Sequence, residues 1–215
     1  MIQAVIFDLD GVLVTTDSCH YKAWKRMADE EGIPFDEKDN LRLRGVSRME
    51  SLNIILEKAD RQYTESEKHD MAERKNAYYV QMIGDLDQEA LLPGALSTIY
   101  ALKEDGVKIA VGSSSKNAPA ILKQLQMEDL FDAVADGNQI KNSKPAPDVF
   151  LLAAELLGVK PEHCLVVEDA DAGVEAALAA GMRVLAMGSA SGNQKAHLRS
   201  GTLNDIDLTS YIKNG

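Results

Sequence analysis

The sequence predicts an α/β protein: a Rossmann-like parallel sheet core, interrupted after its first strand by an inserted all-helical cap. Three observations carry this. The apolar runs at 4–7, 107–112, 164–167 and 183–187 are rich in strand formers. They are too continuous for a sheet wetted on one side and read as strands buried on both faces. From Glu89 onward such runs alternate with helix-length periodic segments, the rhythm of a parallel sheet wound in the right-handed sense. Between them, residues 15–87 show helix patterning and no convincing strand. The expected division is therefore an α/β core of residues 1–14 and 88–215 and a helical cap of residues 15–87.

Composition narrows the class. A chain of 215 residues can bury a substantial core. With 45% hydrophobic and 27% charged residues it is globular material, neither disordered nor fibrous. A net charge of −11 argues against a nucleic-acid partner or an anionic membrane surface, so an anionic ligand must be attracted by local cations and N–H groups. The two cysteines, Cys19 and Cys164, lack CxxC spacing and imply neither a disulfide framework nor a thiolate metal site. Cys164 opens an apolar run and reads as a small buried hydrophobe. There is no basic-then-apolar leader and no apolar run of about 18 residues or more, so the cytoplasm is the expected compartment. The acidic surface and the lack of heptads fit a monomer.

Taken in order, Ala4–Phe7 is the first strand, ending abruptly in Asp8-Leu9-Asp10-Gly11. A helix capped by Asp17 or Ser18 runs to Glu31, with Tyr21, Trp24, Met27 and Ala28 on one apolar stripe and Gly32 closing it. Trp24 reads as core packing on that stripe. Residues 34–40 read as a polar break and 41–47 as a loop. Helices follow at 49–58 and 66–83, the second opened by Thr64-Glu65-Ser66-Glu67. Pro93-Gly94 starts a helix through Lys103 that Gly106 ends. A strand at 107–112 leads to Ser113, and a helix at 118–126 to a short strand at 133–135. Asn142-Ser143-Lys144-Pro145-Ala146-Pro147 is a rigid loop before a helix at 148–157. The strand at 164–167 ends in Glu168-Asp169, a helix covers 173–180, a strand covers 183–187, and the remainder is weakly patterned.

Side chains alternate along an extended chain, so Asp8 and Asp10 point the same way past the carboxyl end of the first strand. Ligands bind there in open α/β sheets. Two like charges this close are costly unless a cation or a shared proton separates them, which suggests a hard metal ion with an aspartate as nucleophile or acid/base. The plain alternative is two loop carboxylates, one capping a helix. Ser113, Lys144 and the Glu168-Asp169 pair fall on the same side of the sheet, so four segments can converge on one crevice.

These four segments resemble the motifs of the haloacid dehalogenase superfamily of aspartate-nucleophile phosphotransferases: FDLDGVL at 7–13, Ser113 after a strand, Lys144 in SKPAPD, and VVED at 166–169. The resemblance implies that Asp8 attacks phosphorus and that Asp10 is the general acid/base. It implies Mg²⁺ held by Asp8, Asp169 and the Asp10 carbonyl with Glu168 assisting, and phosphoryl oxygens held by Ser113 and Lys144. Such a transfer needs the phosphate's charge neutralised, which is what a metal and cationic clamps do.

The insert narrows the resemblance to the β-phosphoglucomutase family. LRLRGVSRMESL at 41–52 is similar to its cap signature, His20 with Ala23-Trp24 to its H-x-x-A-W pattern, SSSKNAP at 113–119 to its second phosphate loop, and RKNAYY at 74–79 is a further match. This implies a parking site for the non-reacting phosphate at Arg48, Ser115, Lys116 and Asn117. It implies a sugar-facing loop at Arg44, Gly45, Val46 and Ser47, contact of Thr16 with the reacting region, and His20 positioning Asp10 as the cap closes. Trp24 joins the substrate-facing set by the same match. Two positions depart from the pattern: Arg44 stands where many relatives have lysine, and Thr15-Thr16 where they often read Asp-Thr. The implied substrates are small sugar phosphates, and the alternative is a Mg-dependent sugar-phosphate phosphatase. A non-catalytic phosphate binder would not need the full catalytic set. A Schiff-base hydrolase would need a lysine in the cap loop, where Arg44 and Arg48 stand and from which Lys58 and Lys75 are absent.

Overall fold

The structure is a computed structural model and describes residues 1–43 and 46–214. Arg44 and Gly45, two of the sugar-facing positions expected above, lie outside the described residues. Six strands form one parallel sheet: β1 (Ala4–Phe7), β2 (Lys108–Gly112), β3 (Ala133–Ala135), β4 (Cys164–Glu168), β5 (Arg183–Ala186) and β6 (Leu198–Arg199). Their order is β3-β2-β1-β4-β5-β6. The winding runs outward from β1 in one direction and then from β4 in the other, so the switch point lies at the carboxyl ends of these two strands.

Register decides what meets there. Phe7 lies level with Val111 of β2 and Val167 of β4. The next residues along, Asp8 and Glu168, therefore emerge side by side, with Ser113 just beyond on the other flank. Asp8 N continues the ladder by donating to Val167 O at 2.9 Å.

The sheet is buried on both faces, as its continuous apolar strands require. Val5 and Phe7 pack on one face against α5 (Ala95–Glu104), α6 (Ala118–Gln124) and α9 (Leu208–Asn214). Ala4 and Ile6 pack on the other against α7 (Asp148–Leu157) and α8 (Asp171–Ala179). The insert holds α1 (Asp17–Glu30), α2 (Glu37–Leu41), α3 (Arg48–Leu56) and α4 (Glu65–Ile83). It has an apolar cluster of its own, in which Trp24, Met27, Phe35, Leu52, Ile55 and Met71 are buried. Trp24 thus packs as its stripe predicts.

Three expectations need correction. The supposed polar break contains α2, opened by a capping box in which Asp36 accepts from Asp39 N and Asp39 accepts from Asp36 N. Five residues are too few to display a helical period, so only the cap could have signalled it. The weakly patterned tail holds β6 and α9, with Leu203, Leu208 and Ile212 completing the core beneath α5. α8 begins at Asp171 rather than Gly173. Both cysteines are free and buried. No helix among the described residues is long and apolar enough to cross a membrane.

Candidate active site

At the switch point Lys144 lies between two carboxylates. Its Nζ donates to Asp8 Oδ1 at 2.5 Å and to Glu168 Oε2 at 2.7 Å. All three residues are buried, with Glu168 1% and Lys144 3% exposed. Burial works against the charge on Lys144, but Asp8 and Glu168 outweigh it and hold the ammonium above the ordinary lysine range. Burial pushes the Glu168 carboxyl upward, opposed by Lys144. The other Glu168 oxygen accepts from the N–H groups of Asp169 and Ala170, each at 3.1 Å.

Asp8, Glu168 and Asp169 each place a carboxylate oxygen so that all three lie within 4.8 Å of one another. This is a hard oxygen donor set, which fits a small divalent cation. Two glycines make room for it. A Cβ on Gly11, whose φ is +84°, would stand 2.2 Å from an Asp169 carboxylate oxygen. A Cβ on Gly173 would stand 2.0 Å from the Glu168 carboxyl carbon. Neither position tolerates a side chain.

Asp10 faces the same space from the other side of Gly11. Thr16 Oγ1 donates to Asp10 Oδ1, and Tyr79 OH donates to Thr16 Oγ1 at 3.2 Å. Burial raises the Asp10 carboxyl to about 7, opposed by the Thr16 bond and reinforced by Asp8. A carboxyl of this kind can hold and release a proton near neutrality, as a general acid/base must. Behind it, Lys75 Nζ lies 3.0 Å from His20 Nδ1 and above the rings of Trp24 and Tyr79, at 4.8 and 4.6 Å from their centroids. Burial lowers Lys75 to about 7, with Arg48 adding and Asp10 opposing. Burial, Lys75 and Arg48 drive His20 well below 6.5. An ammonium on Lys75 has donors only, so with the lysine charged His20 Nδ1 is the acceptor of this pair. Lys75 lies in α4 and not in the cap loop, as the sequence reading has it, and from that helix it lines the cleft.

Arg48, at the start of α3, sends one terminal nitrogen to Glu73 Oε1 and the other to Asn76 Oδ1, both at 2.9 Å. Asn117, just before α6, donates from Nδ2 to the same Asn76 oxygen at 2.9 Å. The turn ahead of α6 is shaped by its own side chains: Ser113 Oγ accepts from Ser115 N at 3.1 Å, and Ser115 Oγ from Asn117 N at 3.2 Å. Ser47 is spent partly on local structure, its Oγ accepting from Glu50 N at 3.2 Å as the α3 cap.

A single cleft of about 610 Å³ between the insert and the sheet holds all of this. Asp8, Asp10, Thr16, His20, Trp24, Val46, Ser47, Arg48, Ser113, Ser115, Lys116, Asn117, Lys144, Glu168 and Asp169 all line it, which is every sequence-predicted site residue within the described residues. Sequence reasoning missed Lys75, Glu73 and Asn76, which also face the cleft or its arginine, and Tyr79 and Gly173, which shape it. The RKNAYY match contained Lys75, Asn76 and Tyr79 without assigning them a task. Nothing local marks Gly173, since its partner is Glu168 across a turn.

Comparison with known proteins agrees with this geometry. The sequence profile of the haloacid dehalogenase-like hydrolases matches residues 2–181. The chain is 45% identical to a β-phosphoglucomutase of Bacillus subtilis over 87% of its own length and 84% of the relative's. It is 33% identical to a phosphorylated carbohydrates phosphatase of Thermotoga maritima over 94% and 93%. The crystal structure of a β-phosphoglucomutase from Clostridium difficile superposes with a TM-score of 0.92 at 42% identity, covering 100% of this chain and 96% of that one.

Proposed function

The chain belongs to the haloacid dehalogenase-like hydrolase family, and we propose that within it the protein is a β-phosphoglucomutase. It interconverts β-D-glucose 1-phosphate and glucose 6-phosphate through β-glucose 1,6-bisphosphate. The observation that carries this reading is one cleft lined by two groups of potential phosphate donors. Lys144 and Ser113 lie at the strand ends beside Asp8, while Arg48 from the cap and Asn117 from the turn before α6 converge on Asn76, with Ser115 and Lys116 in that same turn. A phosphatase needs the first set alone, whereas a mutase must hold a bisphosphorylated sugar in two orientations and needs both.

Asp8 attacks phosphorus, and the bond from phosphorus to the sugar oxygen breaks. Asp10, raised to about 7 and held by Thr16, gives its proton to that departing oxygen. In the return direction Asp10 takes the proton of the attacking sugar hydroxyl, and the aspartyl phosphate on Asp8 passes its phosphoryl group back. Lys144 and Ser113 hold the phosphoryl oxygens. Mg²⁺, held by Asp8, Asp169 and the Asp10 carbonyl with Glu168 assisting, would neutralise the phosphoryl charge. His20, oriented by Lys75, sets the Asp10 side chain as the helical cap of residues 15–87 closes and excludes water, which otherwise hydrolyses the aspartyl phosphate. The acidic composition and the lack of heptads support action as a monomer on small sugar phosphates.

A single-turnover chase tests the reading. The enzyme is phosphorylated on Asp8 with acetyl phosphate and Mg²⁺, then mixed with β-glucose 1-phosphate. Transfer to the sugar faster than release of free phosphate supports the mutase. Release at the same rate with and without sugar makes the protein a phosphatase.

A further inference from the structure

We propose that Asn76 is a positioning residue for the second phosphate. Its side-chain oxygen accepts from both the cap's Arg48 and the core's Asn117 and so gathers the two donors onto one point before the ligand arrives. This rests on the reading of Arg48 and Asn117 as donors to that phosphate.

Asn76 lies on α4 and is half-buried, between the cleft-lining Arg48 and Asn117 to which it is bonded. Its Oδ1 accepts from Arg48 and from Asn117, each at 2.9 Å. An amide oxygen has two lone pairs, so both bonds form at once without leaving either donor short. The two donors come from opposite walls of the cleft, and the bonds reach 28 and 41 residues along the chain. Arg48's other terminal nitrogen goes to Glu73 Oε1. Glu73 and Asn76 are three residues apart on α4 and so share a helix face. Together they fill the two arms of the guanidinium with two oxygens, the arrangement a phosphate gives to an arginine.

The choice of a neutral amide at the shared point matters. A phosphate dianion is a stronger acceptor than an amide oxygen, so it takes over both donors readily. Without Asn76, Arg48 and Asn117 have no common partner, and the ligand must order both side chains as it binds. Glu73 is more than half exposed, so its pairing with Arg48 is weakly held in water and yields to the ligand.

The test is a double-mutant cycle on steady-state KM and kcat for β-glucose 1-phosphate, using Arg48→Ala, Asn76→Ala and the double variant. Asn76→Ala is expected to raise KM about 5- to 20-fold with a smaller change in kcat, and to change KM less than about two-fold in the Arg48→Ala background. Alanine is the best helix former, and a thermal melt checks folding. Should the variant fail to fold, Asn76→Ser keeps a polar side chain but draws its oxygen back toward α4, away from the point where Arg48 and Asn117 meet. If Arg48→Ala itself leaves KM unchanged, the second phosphate site has been misplaced. If Arg48→Ala raises KM but Asn76→Ala does not, or the two effects simply multiply, Asn76 is not acting through Arg48 and the inference is overturned.

Discussion

Lys144 donates to Asp8 across 2.5 Å, although 136 residues separate them in the chain. The contact exists because β1 and β4 lie side by side at the switch point and the loop before α7 folds over their ends. With Glu168 accepting on the other side, the lysine is the cation that lets two buried carboxylates face one another. Lys144→Met is therefore expected to lose about 3–5 kcal/mol of stability, since it leaves buried charge uncompensated. Urea unfolding in the absence of divalent metal measures this, and a loss under about 1 kcal/mol would contradict the role.

Asp10→Asn keeps the size of the side chain and leaves Asp8, Glu168 and Asp169 in place. Binding of Mg²⁺ should survive, while turnover falls about 10²- to 10⁴-fold, as loss of a general acid/base produces. Asp8→Asn, by contrast, should abolish phosphoenzyme formation altogether. Intact-mass measurement after acetyl phosphate treatment distinguishes the two, because only the Asp10 variant can still gain a phosphoryl group.

Gly173 backs onto the Glu168 carboxyl so closely that a Cβ would stand 2.0 Å from its carbon. Gly173→Ala must push Glu168 away from Lys144 or shift α8. We expect a loss of about 1–3 kcal/mol together with weaker Mg²⁺ binding, measured by denaturation and by metal titration. Normal metal affinity in this variant would show that Glu168 does not contribute to the metal set.

Lys75 is buried at the cap face with a folded value of about 7 against 10.5 for a free lysine. A lysine lowered on folding binds fewer protons folded than unfolded, so it costs stability below about 7. The deficit shrinks as pH rises through the window from about 7 to 10.5, with a slope of about 1.4 kcal/mol per pH unit. Asp10 titrates at or below the foot of that window and does not mask the effect. Unfolding measured across the window should show wild type gaining on Lys75→Met as pH rises. Parallel curves would mean that Lys75 is not desolvated.

Much of the core was legible because its signals are local. The strands are continuous apolar runs, and the register that puts Asp8 beside Glu168 follows from their parallel pairing. Each candidate catalytic residue sits within three positions of a strand end or in a rigid loop. What escaped was of two kinds. α2 and β6 are too short to establish a period, so their existence depends on caps and on a neighbouring edge. Asn76, Glu73 and Gly173 act through partners brought near by the fold, and nothing in an α-helical pattern separates an asparagine that bridges a cleft from one facing water. Lys75 lies outside the cap loop, and only the packing of α4 against the cleft brings it to the site.

The most direct test of the mutase is a steady-state assay with β-glucose 1-phosphate, Mg²⁺ and a trace of β-glucose 1,6-bisphosphate, reading glucose 6-phosphate and free phosphate together. Glucose 6-phosphate forming in large excess over free phosphate is the predicted result. Free phosphate released without glucose 6-phosphate would contradict it and make the protein a sugar-phosphate phosphatase.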